Sequence, residues 1–141
     1  MNNYNEKFSG VQWTKVDLPK ASGIKTIPAL SIYMKDGSIT INRSAYELLS
    51  NPEEYTFVEA LVSQDNKLLG LRFLKEHVES AMALKRPTHR GKPIGGCRLM
   101  SMTLANKLFG ENPNFYRRRY IVEKVNDNTL AIELDKPIAE K

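Results

Sequence analysis

The chain has 141 residues, 41% hydrophobic and 26% charged, a composition suited to one globular domain. No apolar run approaches the ~20 residues of a membrane span, and MNNYNEKFSG lacks the apolar stretch of a secretory signal. Its one cysteine, Cys97, excludes an internal disulfide and a cysteine-based zinc site, so a reduced, cytoplasmic protein is expected.

The net charge of +5 is unevenly spread. Residues 29–74 sum to −2, whereas residues 75–98 sum to +4. Clustered positive charge attracts phosphates through counterion release. It also suits a solvated surface with a basic loop.

Residues 1–28 read as a polar arm anchored by Phe8, Trp13, Val16 and Leu18. Trp13 suits either a partner's hot spot or docking of the arm onto its own domain, and the latter is expected. Leu30, Ile32 and Met34 then alternate with Ser31, Tyr33 and Lys35, which is strand periodicity. Asp36-Gly37 is a hairpin signal, and Ile39 and Ile41 continue the alternation on a second strand. Asn42 or Ser44 can cap a short helix over 45–49, which Pro52 cannot continue. A strand over 57–62, a turn at Gln64-Asp65-Asn66-Lys67 and a return strand through Leu69, Leu71 and Phe73 follow.

Residues 74–96 split in two. LKEHVESAMALKR suits a short helix with Val78, Met82 and Leu84 partly on one side. PTHRGKPIGG is a basic loop rich in proline and glycine. Residues 98–102 form a short apolar-rich stretch. Thr103 can cap a helix over 104–109, which Gly110 stops. A strand over 119–125, a turn at Asn126-Asp127-Asn128 and a return strand through Leu130, Ile132 and Leu134 complete the pattern. Pro137, with no N–H for a ladder, ends it.

The plan strand, capped helix, strand, Asp-Asn turn, strand therefore occurs twice. Duplication or chance recurrence of a common pattern would explain it, and duplication is expected. The expected organisation is an arm (1–28), a first β-α-β-β repeat (29–74), a basic linker (75–96), a second repeat (97–135) and a tail (136–141). The core is expected to hold Ile32, Ile39, Ile41, Leu48, Leu49, Val58, Leu69, Leu71, Leu108, Ile121, Leu130 and Ile132.

Gly37, Ile39, Ile41, Asn42 and Arg43, then Leu48-Leu49 and the hairpin residues Leu69, Leu71 and Phe73, resemble the AbrB/MazE/SpoVT-type DNA-binding domain. The resemblance covers residues 30–74 and, more faintly, 97–134. It implies a mostly β fold with short helices. Two tandem copies would close a swapped-hairpin barrel as a pseudo-dimer within one chain. It also implies double-stranded DNA binding, with Arg43 at a matching basic position. A unit of about 45 residues buries too little surface alone, which is why two copies must share a core.

An enzyme would need a constellation around Cys97, His77 or His89. Basic neighbours would activate an exposed Cys97 thiol, but a lone cysteine at a strand start is more often a small buried hydrophobe. The histidines lack metal-ligand spacing, and RGKPIGG lacks the P-loop spacing. No catalytic residue, metal or cofactor is expected. The sharpest feature is Phe115-Tyr116-Arg117-Arg118-Arg119-Tyr120. Cations that track phosphates and aromatics that stack on bases suit nucleic acid; a solvated strand face explains the run equally well. Alternation puts Arg117 and Arg119 on one face, with Arg118 and Tyr120 on the other. The expected function is non-catalytic nucleic-acid binding, a DNA-binding regulator contacting mainly phosphates. The candidate residues are Arg43, Arg90, Lys92, Arg98, Tyr116, Arg117, Arg118 and Arg119. DNA, single- or double-stranded, is the expected partner of a monomer or homodimer. The alternative is a small protein-interaction module that regulates or inhibits a protein partner.

Overall fold

The computed structural model describes residue 12, residues 27–93 and residues 95–141, without the side chains of residues 89, 92 and 93. The arm anchors Phe8, Trp13, Val16 and Leu18 lie outside these residues. The fold is mostly β, with short helices. In chain order the elements are β1 (Ala29–Tyr33), β2 (Ser38–Ile41), α1 (Arg43–Tyr46), a 3-10 turn (Pro52–Glu54), β3 (Phe57–Val62) and β4 (Leu68–Leu74). Then come β5 (Met82–Ala83), β6 (Thr88–His89), β7 (Lys92–Pro93), β8 (Cys97–Met100) and α2 (Met102–Phe109). The chain ends with β9 (Arg117–Ile121), β10 (Glu123–Asn126), β11 (Thr129–Glu133) and β12 (Ala139–Glu140).

Two antiparallel five-stranded sheets form, in the orders β12-β9-β1-β2-β8 and β10-β11-β4-β3-β5. Neither closes on itself. They meet where β9 runs through buried Val122 into β10, and where the single bridge Lys85↔Arg98 links the segment after β5 to β8. Their inner faces share one core that includes Ile32, Ile39, Leu99, Tyr120, Val58, Leu69, Leu71, Phe73 and Leu130. Alternation along each strand sends these residues inward and their neighbours outward.

The strands of the early and late segments interleave. β2 pairs with β8, setting Ile39 against Leu99, and β4 pairs with β11, setting Leu71 against Leu130. The β2–β8 ladder ends alike on both sides. Gly37, before β2, lies against the start of α2, where an added Cβ would sit 2.5 Å from Met102 N. Gly96, before β8, lies against the start of α1, where an added Cβ would sit 1.7 Å from Ile41 O. Each glycine admits the other segment's helix cap, and no larger residue fits.

Asn42 is the cap of α1: its Oδ1 accepts from Ala45 N at 2.9 Å and from Ala29 N at 3.1 Å. The helix it starts spans Arg43–Tyr46 rather than 45–49. Ser101, not Thr103, caps α2, accepting from Leu104 N at 3.1 Å, so that helix starts earlier than its pattern suggested. Gly110 follows its last residue with φ 80°, as a helix stop requires.

Three further expectations are corrected. LKEHVESAMALKR forms no helix, because Leu84 N donates to Thr56 O and Met82 pairs with Val58. Sheet hydrogen bonds outweigh a weak helical pattern there. Ile121 is 46% exposed, because Tyr120, fully buried beside it, takes the inward position. The strand expected over 119–125 is two strands in different sheets, β9 and β10, bent at Val122. Of the other expected core residues, Leu48 and Leu108 are partly buried against the core and the rest are buried. Beyond Pro137 the chain adds β12, an edge strand on β9.

Candidate nucleic-acid interface

Direct cross-strand partners share a sheet face. The register of the first sheet therefore lays one row across it. Arg119 pairs with Ser31, Ser31 with Thr40, Thr40 with Arg98, and Arg98 with Lys85. In the next row of the same face, Arg117 pairs with Tyr33. The neighbouring core row shows that this face points outward: Ile32, Ile39 and Leu99, each adjacent in sequence to Ser31, Thr40 and Arg98 respectively, are fully buried. The row from Arg119 to Lys85 crosses four strand spacings, about 19 Å at ~4.8 Å each. Ser31 and Thr40 are short, so they leave a polar trough between cations at both ends.

Arg98 and Lys85 are exposed, and Arg117 and Arg119 are half-buried. None of the four takes part in the ion pairs found among the described residues. The Nε atoms of Arg117 and Arg119 are buried and meet no hydrogen-bond acceptor among the described residues. Neither guanidinium is offset by an ion-paired carboxylate among the described residues, so the face keeps its positive charge.

Arg118 faces the other way. It continues the core row Leu99–Ile39–Ile32, with Glu140 opposite it on β12. Its Nε donates to Glu140 Oε2 at 2.7 Å. Its guanidinium carbon lies 3.9 Å from the Phe115 ring centre and 5.5 Å from that of Phe109. The cation closes the open edge of the core against two rings. Tyr120, also inward, donates its hydroxyl to Leu134 O at 3.0 Å. Tyr116, just outside β9, is 59% exposed.

The other candidates do not join this row. Arg43, at the start of α1, has an exposed side chain whose Nε bonds Glu47 Oε1 at 2.7 Å. Arg90 and Gly91 form the two-residue tip of the β6–β7 hairpin, at φ 52° and 79°. Positive φ at both positions is the type I′ geometry that joins such hairpins. Arg90 is exposed at that tip, and Lys92 contributes its backbone to β7. Sequence alone did not bring Lys85, Ser31, Thr40 or Tyr33 to the site. The signal was the alternation in 30–35 and 38–42, but pairing partners are needed to align it with Arg119 and Arg98.

Arg86 and Cys97 border the same region. Arg86 Nε donates to the Tyr46 hydroxyl at 2.7 Å, and its Nη2 donates to Pro52 O at 3.1 Å and to Tyr55 O. Cys97 is 3% exposed, and burial pushes its thiol up to about 12 despite the nearby Arg86 charge. The thiol is therefore protonated near neutral pH and packs as part of the core. Among the described residues no group of three or more His, Cys, Asp or Glu side chains is arranged to hold a metal ion. No described helix is long and apolar enough to cross a membrane. The chain matches no protein-family model, no curated protein and no solved structure.

Proposed function

We propose that the protein is a non-catalytic nucleic-acid-binding protein, a DNA-binding regulator that holds phosphates on the outer face of the β12-β9-β1-β2-β8 sheet. The observation that carries this reading is the in-register row Arg119–Ser31–Thr40–Arg98–Lys85, cationic at both ends and without an acidic member. A row of about 19 Å spans some five phosphates of one strand at ~3.4 Å each along a duplex axis. Arg117 and Tyr33 extend the face sideways, adding a further cation and an aromatic ring. Phosphate contacts of this kind position a protein on DNA and carry little sequence information. Arg43, Arg90, Lys92 and Tyr116 are candidate contacts outside the row. Arg118, engaged with Glu140 and two phenylalanines, serves the fold.

The fold that goes with this reading is the swapped-hairpin pseudo-dimer, with two β-α-β-β copies in one chain. The cross-pairing of β2 with β8 and of β4 with β11 supports it, as does the reciprocal fit of Gly37 and Gly96.

The test is a mobility shift with single- and double-stranded DNA at low salt, repeated as salt rises. Binding that weakens steeply with salt is expected. No shift of either DNA would remove this reading. Weight would then pass to a protein-interaction module, which a separate observation favours. A cleft of about 480 Å³ beside β9 is lined by Leu68, Ile121, Val125 and Ile138, all at least 46% exposed, together with Glu123, Glu133 and Lys136.

A further inference from the structure

We propose that the cleft lined by Lys85 and Arg98 is a phosphate-group site; that its phosphate belongs to a bound strand rests on the nucleic-acid reading above. Lys85 and Arg98 exchange backbone hydrogen bonds in both directions, N to O at 2.7 Å each. Residues paired this way lie directly opposite, with Cβ atoms about 5.5 Å apart on one face. Like charges so placed repel, and the pair is destabilising unless an anion sits between them. Among the described residues neither side chain takes part in an ion pair. The carboxylate that feels Arg98 is Asp36, and it is already bound to Ser38, whose backbone N–H donates to Asp36 Oδ1 at 2.9 Å.

Lys85 and Arg98 both line a cleft of about 450 Å³. Arg86 and Thr40 also line it. The Arg86 guanidinium is held by the Tyr46 hydroxyl and two carbonyls, so its donors are already engaged and the cleft's free cations are Lys85 and Arg98. Two exposed cations, Lys85 and Arg98, and the hydroxyl-bearing Thr40 thus border one space. That donor set suits a compact anion with several acceptor oxygens, which is a phosphate group. Clefts of about 300–1,000 Å³ hold small ligands, so there is room for a nucleotide unit around the phosphate.

The experiment uses the full chain and the variant Lys85→Gln/Arg98→Gln. Both side chains are exposed, and backbone amide spectra away from the cleft report whether the variant keeps the fold; Arg98→Gln alone replaces it otherwise. Inorganic phosphate is titrated against chloride at equal ionic strength while the amides of Thr40, Lys85, Gly96 and Arg98 are followed. The proposal expects saturable shifts at these amides with phosphate, absent with chloride and lost in the variant. It also expects the variant's slope of log affinity for DNA against log salt to fall by about one unit. Phosphate shifts equal to those of chloride, or equal in the variant, overturn the site even where DNA binding persists. Saturable shifts in a protein that binds no DNA support the site, with a free phosphorylated ligand, and overturn the nucleic-acid reading instead.

Discussion

Arg117, Arg118 and Arg119 are chemically identical and adjacent, yet their surroundings assign them different work. Arg118 lies over Phe115 and bonds Glu140, so removing it opens the core edge. Arg118→Ala is expected to cost about 1–2 kcal/mol in a urea unfolding curve, most of it from the ring contact. Arg118→Lys recovers only part of this, because an ammonium cannot stack flat on the ring while holding the carboxylate. Arg117→Ala and Arg119→Ala, which remove cations with unmatched Nε atoms, are expected to leave stability near the wild-type value. Cys97 allows a pH test at the same scale. Its folded pKa lies above the ordinary thiol range, so the folded state favours the protonated form. The resulting stability is complete below the unfolded thiol's pKa and is lost as pH rises from there towards about 12. Cys97→Ala should unfold with a shallower decline over that range than wild type. An identical decline in both would show that the thiol is not held protonated by burial.

At the scale of elements, the tightest constraint is the joint between each glycine and the opposite helix cap. Gly96→Ala would drive a Cβ into backbone atoms of Ile41 and Asn42, which cannot step aside as a side-chain tip could. A loss of about 4 kcal/mol or more is expected, at the severe end for single substitutions. Gly95→Ala, one residue earlier, meets nothing within 4 Å and should change stability by less than about 0.5 kcal/mol. Comparable melting points for the two variants would contradict the close approach. Much at this scale was legible from sequence, because it is local. Strand alternation marked β1 to β4 and β11, Asp36-Gly37 marked the first hairpin, and Gly110 marked the end of α2. What failed was decided by distant partners. Residues 82–85 joined β3 and β8 instead of forming a helix, and Ile121 yielded the inward position to Tyr120. The basic site divides the same way. Arg98, Arg117 and Arg119 stood out by charge, whereas their alignment through Ser31 and Thr40 depends on β1 and β2 lying between β9 and β8.

For the whole molecule, the interleaving of early and late strands is expected to make the two halves one cooperative unit. Leu99 belongs to the late segment but is fully buried against Ile39 of the early one. Leu99→Ala is expected to cost about 2–5 kcal/mol. It should lower hydrogen-exchange protection in β2 and β4 as much as in β8 and β11. Loss confined to the late strands would mean that the halves fold separately. The same interleaving carries the functional claim, since only the assembled sheet brings Arg119 of β9 and Arg98 of β8 onto one outward row. The most direct test of that claim is the salt dependence of DNA affinity for Arg117→Ala/Arg119→Ala beside Arg118→Ala. The double variant is expected to bind more weakly, with its log–log slope reduced by about one unit per lost phosphate contact, while Arg118→Ala keeps the wild-type slope. An unchanged slope in a folded double variant, or an equal reduction in Arg118→Ala, would contradict the assignment of the outer face as the nucleic-acid interface.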